Sequence, residues 1–471
     1  MGKIKFGTDG WRGVIADHFT VANVAKITNA AAIWLLNKFQ DPEVVIGYDT
    51  RFQGKLFAET AAKVLASKGI KVRISDDFVT TPMVSLAVRE WKASLGIMIT
   101  ASHNDYTYSG YKLKGSYGGP LLVEELKNIE DLISLENNLD LDLFKWEQFI
   151  EQELIWYADL EAFYFQYVNN YFDLDSIRNS GIRTGFDAMF GSGQKVIRRL
   201  LPEARFFHCE QDLMFGQIPP EPLEKNLKEL LGFMQSSAEL DVALAIDGDG
   251  DRIALANSKG RYIDSHNILL LLIHYLAEYR KMKGKVVTGF SSTGKVEKLC
   301  RHYDLEVQRV PIGFKDICRV MLSEDVLVGG EESGGISISG FLPERDGIWM
   351  GLTILQFMAE TGKSLDKILK EIYDITGSFQ CLRRDIQIPK DKRVKIMDIC
   401  YKSEIESFGR FRVSRIEALD GIKFFFSDDE WVMIRASGTE PLLRTYAEAA
   451  DRKTAEEIIE ATYKTISLLG R

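Results

Sequence analysis

Leu95-Gly-Ile-Met-Ile-Thr-Ala-Ser102-His103-Asn104 joins a short apolar run to a cluster of small polar groups. The run has the composition of a buried strand, and the loop after it is where a reactive side chain can be presented on a rigid base. Alone, a serine beside a histidine reads better as a polar strand end capping the next segment. The surrounding chain has to decide between the two.

Two later stretches have the same form, an apolar strand ending in an unusual loop: VALAIDGDGDR (242–252) and DVLVGGEESGG (325–335). Each of the three follows, some tens of residues on, a unit of strand, glycine, aromatic, Asp or Ser, turn, glycine and helix. The copies are VVIGYDTRFQG (44–54), GIRTGFDAMFGSG (181–193) and KVVTGFSSTGKV (285–296). Strands alternating with helices indicate α/β layers, and the repeat predicts three similar α/β domains that each donate one loop from an equivalent position. Thr20 is expected to cap a helix, and Thr81-Pro82 to open another. The aromatic stretch 151–172 reads as helix, and NILLLLIHYLAEYRKM (267–282) as a buried helix with His274 in the core. His18, His208, His266 and His302 have no partner at ligand spacing.

From about Gly377 the pattern changes to strand-like runs, with Asp420-Gly421 as a hairpin signal and helical stretches on either side. The expected architecture is three α/β domains with mixed sheets plus a C-terminal α+β domain. Their expected divisions are 1–150, 151–256, 257–375 and 376–471.

Composition narrows the class. The chain has 471 residues, 45% apolar and 27% charged, with a formal net charge of −9. That charge and the absence of a basic block argue against a nucleic-acid surface. The longest apolar run, 268–273, is too short to span a bilayer, and no signal-peptide core opens the chain. Five scattered cysteines without a C-x-x-C pair fit reduced thiols. A cytoplasmic protein is expected, as monomer or homodimer, acting on a small molecule.

The most specific chemical signal is Asp247-Gly-Asp249-Gly-Asp251-Arg252. Three carboxylates at the end of a buried strand repel one another unless a cation neutralises them. Oxygen ligands suit Mg²⁺ or Ca²⁺ better than zinc. An EF-hand fails because Arg252 stands where its glycine is needed and Ser258 where its glutamate is needed. The third loop offers Glu331, Glu332 and Ser333, a mix of acceptors and donors that suits sugar hydroxyls. Arg435-Ala-Ser437-Gly438-Thr439 and Arg444 could cradle a phosphate with backbone and guanidinium donors. Lys315 and Lys112 are candidate proton carriers or phosphate binders. The Asp9 and Arg12 turn in KFGTDGWRG reads as an ordinary loop with an ion pair. Combined, the loops specify phosphoryl transfer to or from a phosphorylated sugar, assisted by a divalent cation.

TASHN, DGDGDR, GEESG and RASGTEP, in that order across the whole chain, resemble the α-D-phosphohexomutase superfamily of phosphoglucomutases, phosphomannomutases and phosphoglucosamine mutases. The resemblance implies four domains around a central cleft. It makes Ser102 a phosphoserine that completes a Mg²⁺ site with Asp247, Asp249 and Asp251. Arg12 and Arg252 would steady the phosphoryl group, with His103 and Lys112 beside it and Lys112 the preferred acid–base group. Glu331 and Ser333 would hold sugar hydroxyls. Arg435, Ser437, Gly438 and Thr439, joined by Arg444 and Lys315, would grip the phosphate that is not transferred. GEESG is similar to glucose-handling members. Phosphomannomutase-type relatives often carry methionine at the place of Glu332 and histidine at that of Gly335. Phosphoglucosamine mutases usually have glutamine near Glu332 and isoleucine at Trp11. The resemblance therefore implies a phosphoglucomutase activated by glucose 1,6-bisphosphate; the alternative is a phosphomannomutase or dual-specificity phosphohexomutase, and a phosphoglucosamine mutase is less favoured. A Mg²⁺-dependent phosphatase and a non-catalytic sugar-phosphate binder are the readings from other classes.

Overall fold

The structure is a computed structural model that describes residues 4–7, 9–133, 139–402, 405–436 and 442–469. The three repeats fold alike. In each, the first strand of the unit pairs in parallel with the strand that carries the loop, and that strand pairs antiparallel with the next. The trios are 43–48, 95–99 and 108–115; 184–187, 242–246 and 253–257; and 285–289, 326–330 and 336–338. The loop-bearing strands Leu95–Ile99, Val242–Ile246 and Val326–Gly330 are buried along their whole length. This explains their unbroken apolar runs. Each loop then emerges at the carboxyl end of a parallel pair, where α/β sheets place their ligands.

Local chemistry sets the helices between strands. Thr20 accepts from the Asn23 amide at 3.2 Å and caps the helix Val21–Lys38. Pro82 sits in the first turn of the helix Thr81–Glu90, where a missing N–H costs nothing. The fourth sheet is antiparallel, in the order Gln380–Gln387, Leu442–Ala449, Trp431–Ala436, Ile422–Phe425 and Arg415–Ala418.

Several expectations are corrected. Residues 151–172 are not one helix: Ile155–Ala158 is a strand that closes the edge of the first sheet against Lys71–Ser75, and the helix is Leu160–Tyr171. An available sheet edge outweighs helical periodicity in a short aromatic run. The first sheet thus extends past residue 150, and the second extends past 256 through the short strand Tyr262–Ile263. The buried helix at Ser265–His274 loosens into a π-helical segment over Tyr275–Tyr279. His274 is buried as expected and is bonded to the Tyr303 hydroxyl at 2.5 Å. His208 does have partners, lying 3.1 Å from Asp187 and 3.2 Å from Glu229.

One apolar core runs without a break from the helix Thr81–Glu90 through Leu160–Tyr171 to Gly347–Thr361. At its centre Trp349, fully buried, stacks on Phe341 with centroids 3.7 Å apart. The C-terminal sheet keeps a separate core. It meets the third unit through a small apolar cluster, Phe290 against Phe425, Trp431, Met433 and Tyr446, and through polar contacts: the Gly294 amide donates to Glu448 at 3.1 Å, and the Ile312 amide to Asp420 at 3.0 Å. All five cysteines are unpaired.

Candidate active site

The aspartate loop turns on itself. The amides of Asp251 and Arg252 donate to Asp247 Oδ1 at 2.9 and 3.0 Å. Gly250 adopts φ +73°, and a Cβ on Gly248 would lie 2.6 Å from the Ser102 carbonyl oxygen. A side chain at either position is disfavoured, by conformation at Gly250 and by the close approach at Gly248. The three aspartates are buried, with ligand oxygens within 4.8 Å of one another. Asp249 Oδ1 and Asp251 Oδ1 are buried without a hydrogen-bond partner. Clustered hard oxygens with unmet acceptor capacity fit a small divalent cation such as Mg²⁺.

Ser102 reaches this cluster from the first unit. Its hydroxyl donates to Asp247 Oδ2 at 2.6 Å, 145 residues away in sequence. The neighbouring His103 Nδ1 is farther, at 3.3 Å. Lys112, on the strand Tyr108–Gly115, places Nζ 2.7 Å from Asp249, 2.9 Å from Asp251 and 2.7 Å from Asp9. Arg345, from the third unit, pairs with Asp9 and, at 2.8 Å, with Asp251. The cluster therefore joins three units of the chain. Arg12 donates to Asn104 Oδ1 at 2.6 Å, and Arg252 to Glu221 at 3.0 Å.

Electrostatics follow from burial and neighbours. Burial, reinforced by Asp249 and Asp251, holds the Asp247 carboxyl well above its usual range. Burial works against charge on Lys112, but Asp249, Asp251 and Asp9 outweigh it and raise its pKa. His103 is held well below its usual value by burial and by Arg252 and Arg12, so its imidazole is neutral.

The other predicted residues are placed as follows. Glu331 is buried and accepts from the Gly313 amide at 2.8 Å, while burial pushes its carboxyl up to about 7. Ser333 sits on the turn between Val326–Gly330 and Ile336–Ile338, half-buried. Lys315 opens the helix Phe314–Ser323 and donates to the Gly7 carbonyl at 2.8 Å, with its pKa lowered by burial to about 8. Arg435 pairs with Asp420 at 2.9 Å, and Arg444 lies 3.8 Å from Asp385. Ser437, Gly438 and Thr439 lie outside the described residues. A Cβ on Gly335 would fall 2.3 Å from Arg345 Cδ, so the arginine occupies the space that a larger residue at 335 would need.

Sequence reading missed Asp9, Arg345 and Thr81, whose hydroxyl donates to Asp249 at 2.5 Å. The glycine-dense turn around Asp9 was the one available signal.

A serine hydroxyl on a buried cluster of three carboxylates that fits a divalent cation, with lysine and arginine side chains around it, is an arrangement suited to phosphoryl transfer. Models of the phosphoglucomutase/phosphomannomutase family match in chain order: alpha/beta/alpha domain I over residues 3–139, domain II over 162–260, domain III over 264–375 and the C-terminal domain over 398–465. A phosphoglucosamine mutase of Methanocaldococcus jannaschii is 30% identical over 480 residues, covering 99% of this chain and 98% of the relative. A phosphoglucomutase/phosphomannomutase of Thermococcus kodakarensis is 28% identical over 473 residues, covering 99% of each. A crystal structure from Thermus thermophilus that carries a provisional phosphomannomutase name superposes with a TM-score of 0.86 at 32% identity, covering 99% of each chain. The chain belongs to the phosphoglucomutase/phosphomannomutase family, within the α-D-phosphohexomutase superfamily. It is an intramolecular phosphotransferase of the isomerase class. Among the described residues, no helix is long and apolar enough to cross a membrane.

Proposed function

We propose that this enzyme interconverts glucose 1-phosphate and glucose 6-phosphate through phospho-Ser102 and a glucose 1,6-bisphosphate intermediate. The observation that carries this reading is the 2.6 Å contact between the Ser102 hydroxyl and Asp247. It makes the serine oxygen a neighbour of the cation site rather than a strand-end cap.

In the first half-reaction the phosphorus–oxygen bond to Ser102 breaks as a new one forms to the free sugar hydroxyl, and the hydroxyl proton leaves to a base. In the second, the bisphosphate has turned end for end, and the other phosphoryl group passes back to Ser102. A magnesium ion held by Asp247, Asp249 and Asp251 would neutralise charge on the transferring group. Arg12 and Arg252 add fixed positive charge beside it, without reorganisation during the transfer. Lys112, held charged by three carboxylates, adds fixed positive charge at the cluster, and neutral His103, 3.3 Å from the Ser102 hydroxyl, accepts the proton. Glu331 and Ser333 orient the sugar hydroxyls. Lys315, Arg435 and Arg444, with Ser437, Gly438 and Thr439, hold the phosphate at rest. The separate core of the last unit supports a hinged movement that lets the intermediate turn without escaping. We place the domain divisions after Ala158, after Ile263 and near Gly377.

Purified protein given glucose 1-phosphate, Mg²⁺ and a trace of glucose 1,6-bisphosphate should form glucose 6-phosphate, and Ser102→Ala should not. Absence of product, equal activity of the variant, or release of free phosphate as the main product would sink the reading. A second reading, glucosamine phosphate as substrate, is favoured by the phosphoglucosamine mutase relative. Mannose phosphate is a third candidate, on the phosphoglucomutase/phosphomannomutase relative. Turnover of glucose, mannose and glucosamine 1-phosphates in one assay ranks all three.

A further inference from the structure

Arg51 lies in the turn GYDTR, outside the groups that face the aspartates, and it is buried. Its guanidinium donates to Asp49 at 3.1 Å and to four carbonyl oxygens of one loop: Ser102 and Asn104 at 2.6 Å each, Asp105 at 2.6 Å and Tyr108 at 3.1 Å. The Phe215 ring, from the second unit, covers the guanidinium with its centroid 4.8 Å from Cζ.

The loop that Arg51 grips is strained at the residue that matters. Ser102 adopts φ +54°, the left-handed region that a residue with a Cβ avoids. Relaxing that angle would swing the Ser102 carbonyl off the guanidinium and turn the hydroxyl away from Asp247. Strain of this kind persists only where the surroundings over-determine it.

The repeat supplies an internal control. In the second unit the same turn reads GFDAM, and Asp187 accepts from the Met189 amide at 2.8 Å, just as Asp49 accepts from the Arg51 amide at 3.0 Å. The turn therefore forms without an arginine. The equivalents of Arg51 are Met189 and Thr293, so the arginine occurs only in the unit that carries the serine loop.

We propose that Arg51 is a positioning residue for phosphoryl transfer, locking Ser102 in the left-handed conformation that aims its hydroxyl at the cation site. This rests on the proposed function and adds to it a residue that touches no substrate. A planar fork of five donors suits the task, and an ammonium with three does not.

Two variants test it: Arg51→Lys, and Asp49→Asn/Arg51→Met, which removes both buried charges together. Each is compared with wild type for kcat and KM and by crystal structure. The expected result is a kcat lower by on the order of 10²-fold, as for a small misplacement of a reacting group. KM should stay within about threefold, since substrate binding is untouched. In the crystal, Ser102 should leave the left-handed region and lose its bond to Asp247. The inference is overturned if either folded variant keeps kcat within about threefold. It is equally overturned if kcat falls with Ser102 unmoved, or if KM alone changes. Failure of both variants to fold would reduce Arg51 to a purely structural part and also overturn it. Should wild type show no mutase turnover, the functional reading falls while the crystal structures still decide the positioning.

Discussion

Arg435 and Arg444 are direct cross-strand partners on the strands Trp431–Ala436 and Leu442–Ala449. Like charges directly opposite each other destabilise a sheet. Asp385, the partner of Arg444 on the other side, and Asp420 beside Arg435 offset part of that cost. An anion between the two guanidiniums would offset more. Arg435→Ala is expected to raise KM for hexose phosphates about 10- to 100-fold, the loss of a charged hydrogen bond of about 1.5–3 kcal/mol. Inorganic phosphate should raise the melting temperature of wild type by binding linkage, and raise that of the variant less. Equal shifts in both would remove Arg435 from the phosphate site.

The cation site proposed at the aspartate cluster predicts dependence on a divalent cation. EDTA is expected to abolish turnover and excess Mg²⁺ to restore it. Asp251→Asn should reduce kcat by at least about 10²-fold, as loss of one fixed electrostatic partner of a transition state does. Full activity in EDTA would contradict the site.

Two buried groups set the expected pH profile. Burial raises the Glu331 carboxyl to about 7 and lowers the Lys315 ammonium to about 8. Raising the pH through the first value ionises Glu331, the form proposed to accept from sugar hydroxyls. Raising it through the second discharges Lys315 and removes the charge proposed to attract phosphate. The kcat/KM profile, which reports free-enzyme groups, should be bell-shaped with its top between them. Glu331→Gln should flatten the acid limb and Lys315→Met the alkaline limb. If both limbs persist in both variants, other groups control the profile.

Trp349 is packed on Phe341, Tyr171 and Phe172, joining helices on either side of the boundary between the second and third units. Trp349→Ala should cost about 3–5 kcal/mol, as aromatic truncation in a core does. Urea unfolding followed by circular dichroism would register this as an earlier midpoint. A midpoint unchanged from wild type would mean that the units hold together without this cluster.

What the sequence made legible was local in nature. The three loop-bearing strands stood out because burial on both faces leaves an unbroken apolar run, and the DGDGDR loop because three carboxylates so close together need a cation. Asp9, Arg51 and Arg345 were not legible. Each is a single charged residue in an ordinary turn, and its meaning comes from partners far away along the chain: Arg345 meets Asp9 across 336 residues. Lys112 was recognised as a candidate, but its pairing with Asp249 and Asp251 was not, since they belong to another unit. The strand Ile155–Ala158 was hidden for a related reason, because a sheet edge is a property of the fold and not of the segment that fills it.

The cluster around Lys112 has a consequence for biosynthesis. Its ion pairs draw on Asp9, on Asp249 and Asp251, and on Arg345. A nascent chain halted before Arg345, or a fragment cut between the first and second units, lacks part of the charge balance that holds the serine loop against the aspartates. Such a fragment could fold its own sheet and still be chemically silent. The polypeptide thus acquires the means to move phosphate only late in its synthesis, when segments from three quarters of its length have met.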